Sequence, residues 1–284
     1  MTLLHPQIAL QGLATGAIYA VAAMGMQFIL GSTGRVHLGV GQALVMTALF
    51  LGWTLERTGI PLGWVMLGLS VSGALAARIM HPPALWRHVL REQGDRAFLL
   101  ITIGAGMAME ALAQWLWPLP GMASVAAGAP LSLSAVFIAW PKGLAIVVSA
   151  SAALSLYALL HRTRRGKALR AWDMGSAQLE TVGVDTHRLA RWATSVGLGV
   201  AAMGGVLLGM TQVVSAQEWI AWSLKSLCVA LIGGGLNPLS ALAMGWAMGV
   251  GEAWVSQYLG PQWHPALAPV LLPLVLRLRS RGAI

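Results

Sequence analysis

Nine apolar stretches separated by short polar gaps organise this chain: residues 8–30, 41–55, 60–80, 97–117, 142–161, 190–212, 219–236, 237–258 and 264–278. A helix needs about 20 apolar residues to cross the hydrocarbon of a bilayer, with ~17–25 observed. Six stretches meet that length. Those at 41–55, 219–236 and 264–278 are short or broken by Gly and Pro, which suits tilted, half-inserted or discontinuous segments. In lipid every backbone polar group needs an internal partner, so segments of this length are helices. The expectation is an all-α polytopic integral membrane protein. It is a bundle of about 8–9 transmembrane helices forming one domain over residues 1–284.

Composition removes the soluble alternative. Hydrophobic residues make up 57% of the chain and charged residues 10%, against about 25% charged in ordinary globular domains. Too few polar groups remain to cover a water-facing surface. The 34 glycines suit close approach of transmembrane helices. The single Cys228 excludes an intramolecular disulfide and reads as a packing residue within an apolar run. At the N-terminus no Lys or Arg precedes the first run, which continues to Leu30. An uncleaved first span fits better than a signal peptide, which needs a basic start and a short apolar core.

The net charge of +9 is not a nucleic-acid face, because its position is topological. Arg35 follows the first run. The gap at 78–96 holds Arg78, Arg87, Arg91 and Arg96. The gap at 162–191 holds Arg162, Arg164, Arg165, Lys167, Arg170, Arg188 and Arg191, and Arg277, Arg279 and Arg281 lie at the end. Fifteen of the eighteen basic residues thus fall in alternate gaps, which the positive-inside rule assigns to the cytoplasm. The opposite gaps hold only Arg57 and Lys142. Nine spans place the N-terminus outside and the C-terminus inside. The outer gap at 118–141 is rich in Pro and Gly and bracketed by Trp115, Trp117 and Trp140, as an interfacial belt would be.

No catalytic constellation is present: no GxxxxGK[ST] phosphate loop, no His/Cys cluster at metal spacing and no GxSxG elbow. The chain is therefore expected to be no enzyme, with no catalytic residue, metal or cofactor of its own. The longest polar segment is 162–191. Residues 168–182 read as one amphipathic helix with Ala168, Ala171, Trp172, Gly175 and Leu179 on its apolar stripe. Gly183 suits its C-cap and Asp185 the N-cap of the next span. Such a helix could receive force from a soluble motor. A solvated loop whose charges only set topology fits the spacing equally well.

Here the residues carry a resemblance. Arg165-Gly166-Lys167-Ala168-Leu169-Arg170-Ala171, then Ala177 and Val182-Gly183-Val184-Asp185, resemble the cytoplasmic coupling loop of the Liv-type branched-chain amino acid ABC importer permeases. Leu10-Gln11-Gly12-Leu13 with Gly16-Ala17-Ile18-Tyr19-Ala20-Val21 resembles that family's opening span. Gly204-Gly205-Val206-Leu207-Leu208-Gly209, Lys225 through Ile232-Gly233-Gly234, and Gly249-Val250-Gly251-Glu252-Ala253 follow in the family's order and spacing. Two departures stand out. Val36 through Gln42 replaces a usual "NFAHGE", and Met174-Gly175 replaces a polar pair in the coupling loop.

The resemblance implies a multi-pass permease subunit in the bacterial inner membrane, working by alternating access. It implies a second permease subunit, two cytoplasmic ATPase subunits that bind the ATP, and a periplasmic solute-binding protein. Coupling to the ATPases would fall to Arg165, Gly166, Arg170, Ala171, Ala177 and Gly183. Branched-chain amino acids lead as solute, with urea and short amides behind. An ion-coupled secondary transporter is the rival from another class.

Three ionisable residues lie within the spans: Glu110, Lys225 and Glu252. Charge at membrane depth is costly and faces a bundle interior or a water-filled path. Counting at 1.5 Å per residue from Trp117, Trp219 and Tyr258 puts all three roughly 9–11 Å below the outer boundary. Lys225 is expected to pair with Glu252, Glu110 or both. Such a pair serves either helix packing or a solute that carries both charges. Gly12-x3-Gly16-x3-Ala20, Gly104-x3-Ala108 and Gly205-x3-Gly209 are read as packing faces, and Gly233-Gly234-Gly235 before Asn237-Pro238 as a break.

Overall fold

The computed structural model describes residues 6–58, 61–80, 84–116, 131–133, 136–174 and 183–260, with isolated positions between 262 and 277. Nine α-helices stand in these residues: α1 (Pro6–Thr33), α2 (Gly39–Thr58), α3 (Leu62–Met80), α4 (Ala84–Leu116), α5 (Trp140–Arg162), α6 (Arg164–Met174), α7 (Thr186–Thr211), α8 (Trp219–Gly233) and α9 (Pro238–Leu259). A two-stranded antiparallel hairpin, β1 (Leu131–Leu133) and β2 (Val136–Ile138), pairs Leu131 with Ile138 ahead of α5. Isolated helical positions at 267, 270, 271, 273 and 277 fall in the last apolar stretch.

The eight apolar stretches before residue 260 coincide with helix. Among the described residues, four helical segments are long and apolar enough to cross a membrane: Pro6–Thr33, Phe98–Leu116, Trp140–Arg162 and Thr186–Thr211. Shorter apolar helices cover Gly39–Leu55 and Gly63–Leu75. The polar gap at 78–96 differs from a loop, because α4 already begins at Ala84 and runs for 33 residues. After Pro82-Pro83 no breaker other than Gly94 interrupts a run of good helix formers. At 1.5 Å per residue α4 is about 50 Å long, so its polar first half extends beyond the hydrocarbon.

The bundle is built around α1. Every residue from Gly16 to Ile29 is buried. A helix apolar on all sides belongs inside a bundle rather than at its surface. It packs against α5, α7, α8 and α9. Small residues make that possible. A Cβ on Gly12 would lie 2.7 Å from the Val250 Cα, and one on Gly16 would lie 2.5 Å from the Gly245 carbonyl oxygen. Gly245 in turn faces Ala20. The Gly12/Gly16/Ala20 stripe thus interlocks with Gly245 and Gly249, backbone against backbone.

Gly205 and Gly209 play the same part between α7 and α2, meeting Leu44 and Ala48. The Gly104 stripe does not follow suit. A Cβ at Gly104 would meet nothing, whereas one at Gly106, two residues on, would run into Gln42 and Trp219. The expected packing face on α4 is therefore rotated to Gly106.

The glycine break forms a tight turn. α8 ends at Gly233, Gly234 and Gly235 take positive φ of 66° and 35°, and Asn237 caps α9 by accepting from the Leu239 N–H at 3.2 Å. Glycine serves these two left-handed positions because it has no Cβ.

A candidate translocation core and a candidate coupling helix

The buried charges meet where α1, α8 and α9 adjoin. Lys225 lies 3.0 Å from Glu252 Oε1 and donates to Glu252 Oε2 at 3.1 Å. It also donates to the Tyr19 hydroxyl at 2.8 Å, and that hydroxyl donates in turn to Glu252. Glu252 is 0% exposed, Tyr19 1% and Lys225 7%. The Lys225 ammonium also stands 4.9 Å from the Tyr19 ring centroid and 5.8 Å from that of Trp222, within the range of cation–π attraction. The access is sterically prepared: Gly245 and Gly249 on α9 draw α1 close enough for Tyr19 to reach Glu252.

Glu110 is not part of this cluster. Its Oε2 accepts from the Trp219 indole at 2.9 Å and its Oε1 from Gln114 at 3.1 Å. It fastens α4 to the start of α8, six residues and roughly 9 Å before Lys225 along that helix. Of the three intramembrane residues, two are brought together and the third holds a different joint.

Sequence reasoning missed Tyr19 as a partner, although a phenol flanked by Gly16, Ala17 and Ala20 stands out in an otherwise apolar run. It also missed Glu218. The Ser215-x-x-Glu218 spacing is a capping box: Glu218 accepts from the Ser215 N–H at 3.3 Å, and its other oxygen takes the Trp222 indole at 3.2 Å.

The segment Val36–Gln42 leads into α2 inside the bundle. Ser223 on α8 donates to the Leu38 carbonyl at 2.6 Å, and its oxygen accepts from the Gly41 N–H at 3.2 Å. Helix starts leave orphan N–H groups, and within lipid these require protein partners. Ser223 supplies one. Gly41 permits the approach, since a Cβ there would lie 2.7 Å from the Ser223 nitrogen. The backbone break ahead of α2 is therefore closed by a side chain of α8.

On the basic side, α6 runs from Arg164 to Met174, so the helix expected at 168–182 begins four residues earlier. The reason is Thr163. Its hydroxyl accepts from the Gly166 N–H at 3.0 Å and donates to the Leu159 carbonyl at 2.7 Å, which caps α6 directly on the end of α5. A Cβ at Gly166 would lie 2.6 Å from the Leu160 Cα, so the corner needs glycine. Leu169 is fully buried, with Ala168 and Trp172 packed against the core. Arg165 and Arg170 face outward and Ala171 is half-buried.

Ala177, and with it Gly175 and Leu179 of the expected stripe, lies outside the described residues. Gly183 has a φ of 81°. Asp185 caps α7 by accepting from the Arg188 N–H at 3.0 Å and pairs with the Arg188 guanidinium at 2.8 Å. Between α6 and α7 lies a hollow of about 580 Å³ edged by Arg164, Arg165, Arg188 and Arg191, with Trp192 at its wall. Among the described residues no three His, Cys, Asp or Glu side chains group as a metal site would require.

A family model described as the permease component of branched-chain amino acid transport systems matches residues 8–276. The chain belongs to that family. It is 24% identical over 288 residues to the high-affinity branched-chain amino acid transport system permease protein LivH of Escherichia coli K12, covering 96% of this chain and 93% of that one. It is 26% identical over 290 residues to BraD of Pseudomonas aeruginosa, with the same coverage of 96% and 93%. A probable LivH of Methanocaldococcus jannaschii is 36% identical over 109 residues, 37% of this chain and 34% of that one. No solved structure matches the chain. As a member of this family it is a transport-system permease subunit, all-α and multi-pass in the bacterial inner membrane.

Proposed function

We propose that this permease is the membrane half of an ATP-driven importer, carrying branched-chain amino acids inward by alternating access. Two cytoplasmic ATPases supply the hydrolysis, a second permease subunit completes the pathway, and a periplasmic binding protein delivers the solute. The relatives LivH and BraD are named for branched-chain amino acid transport, and that kinship is the ground for the solute.

The observation that carries the motor part of the reading is the seating of α6. It is capped on α5 by Thr163, anchored by the buried Leu169, and in contact with α1, α5 and α7. Its outer side bears Arg165 and Arg170. A push on this helix reaches three spans at once. The rival in which membrane acids carry a coupling ion is weaker, because Glu252 is engaged by Lys225 and Tyr19, and Glu110 by Trp219 and Gln114.

The test is Gly166→Leu in the assembled importer. The larger side chain must push α6 off Leu160. Solute uptake should fall about ten-fold or more, equivalent to at least ~1.4 kcal/mol in the coupled step, while ATP hydrolysis by the complex persists. Uptake and hydrolysis both at wild-type rates would contradict a coupling role for α6.

A further inference from the structure

The hollow of about 580 Å³ between α6 and α7 falls within the ~300–1,000 Å³ span of small-molecule sites. Four arginines edge it, Arg164 and Arg165 from the first turn of α6 and Arg188 and Arg191 from the start of α7. The acid on its wall among the described residues is Asp185, and the Arg188 guanidinium already pairs with that carboxylate at 2.8 Å. Arg164, Arg165 and Arg191 have no ion-pair partner among the described residues. Like charges gathered around one concavity repel one another, and an anion seated among them removes that cost. The first turns of both helices add partial positive charge of the same sign.

The level of the hollow narrows the kind of anion. α7 is long and apolar enough to cross a membrane, and Arg188, Leu189, Arg191 and Trp192 belong to its first two turns. The end of a spanning helix stands at the boundary between hydrocarbon and water, where tryptophan is favoured. Trp192 is half-buried at the wall, and the buried Leu189 with Ala168 and Val184 gives the hollow an apolar lining beside its guanidinium groups. Basic pockets between membrane helices take anionic headgroups, and an arginine fork matches two phosphate oxygens at once.

We propose that this hollow binds the headgroup of an anionic phospholipid, its phosphate held between the arginines of α6 and Arg191 of α7 and its glycerol resting on the apolar lining. A lipid seated there clamps α6 against α7 at the membrane surface. The inference goes beyond the importer reading and holds whichever protein touches the outer side of α6.

Phosphatidylglycerol titrated onto the delipidated, purified permease complex in detergent micelles, read by native mass spectrometry, tests the site without a surrounding bilayer. The wild type should bind it about ten-fold or more tightly than phosphatidylcholine, which carries the same phosphate without net charge. Arg164→Gln and Arg191→Gln, one from each wall, should each raise the Kd for phosphatidylglycerol about ten-fold or more. Lys167→Gln removes the same charge from α6 at a position that does not edge the hollow, and its Kd should stay within about two-fold of wild type. All three side chains are exposed, so the substitutions leave the core intact.

Equal weakening by all three variants would overturn the site, since that is diffuse attraction to a basic surface. Equal affinity for the two lipids would overturn it as well. Inorganic phosphate and glycerol phosphate represent the soluble source of the same group. Displacement of phosphatidylglycerol by either, at concentrations near the lipid's own Kd, would replace the lipid with a free anion. An acidic partner protein is the remaining occupant: Arg164→Gln and Arg191→Gln that shed a subunit from the complex, with phosphatidylglycerol bound as in wild type, would make the hollow a protein contact and end the lipid proposal.

Discussion

Lys225→Met is expected to destabilise the folded bundle by about 3–5 kcal/mol, the usual cost of stranding one partner of a buried ion pair. Glu252 is 0% exposed and would keep its bond from the Tyr19 hydroxyl but lose its counter-charge. Glu252→Gln should cost a similar amount from the other side, by leaving the Lys225 ammonium without its counter-charge. The informative case is Lys225→Met combined with Glu252→Met. Replacing a whole buried pair by apolar groups of similar volume is often neutral or stabilising, so the double variant should be more stable than either single. Unfolding in mixed micelles measures all four corners of this cycle. Additive losses in the double variant would mean that the two side chains do not act as a pair.

The second large effect is expected at the α1–α9 crossing. Gly16→Leu places a branched side chain where even a Cβ would lie 2.5 Å from a backbone oxygen and 2.8 Å from the Trp246 Cα. Neither backbone atom can swing aside as a flexible side-chain tip could. Overpacking typically costs ~1–3 kcal/mol, and separating two helices in backbone contact should exceed that range. The same separation pulls Tyr19 and Glu252 apart, so the charge cluster opens with it. Gly104→Leu is the matched control: nothing lies within reach of its Cβ, and its effect should stay within about 0.5 kcal/mol. Folded yield and melting in detergent read both. Equal losses at Gly16 and Gly104 would contradict the interlocked crossing.

Much of the architecture was legible in the sequence because lipid makes hydrophobicity nearly one-dimensional. Eight of the nine apolar stretches mark helices among the described residues, and Gly12, Gly16, Gly205 and Gly209 mark backbone contacts. What failed were questions of rotation and depth. Gly104 and Gly106 both sit in an apolar run, and only the position of Gln42 and Trp219 decides which one faces inward. Glu110, Lys225 and Glu252 have similar apparent depths when counted from aromatic residues, yet Glu110 sits beside Trp219 itself.

Helix starts were harder still. Thr163 caps α6 earlier than the apolar stripe suggests, because a hydroxyl bond to Gly166 outweighs the pattern of larger side chains.

Threading with α6 on the cytoplasmic side underlies the whole account, and a single-cysteine experiment reads it directly. The native Cys228 is buried, so it should contribute little background. A cysteine at Arg188, on the exposed rim between α6 and α7, should resist a membrane-impermeant maleimide in spheroplasts and react readily in inverted vesicles. A cysteine at Tyr258, at the opposite end of α9, should show the reverse pattern. Labelling of position 188 from the outside of intact spheroplasts would place α6 on the wrong face and contradict the account.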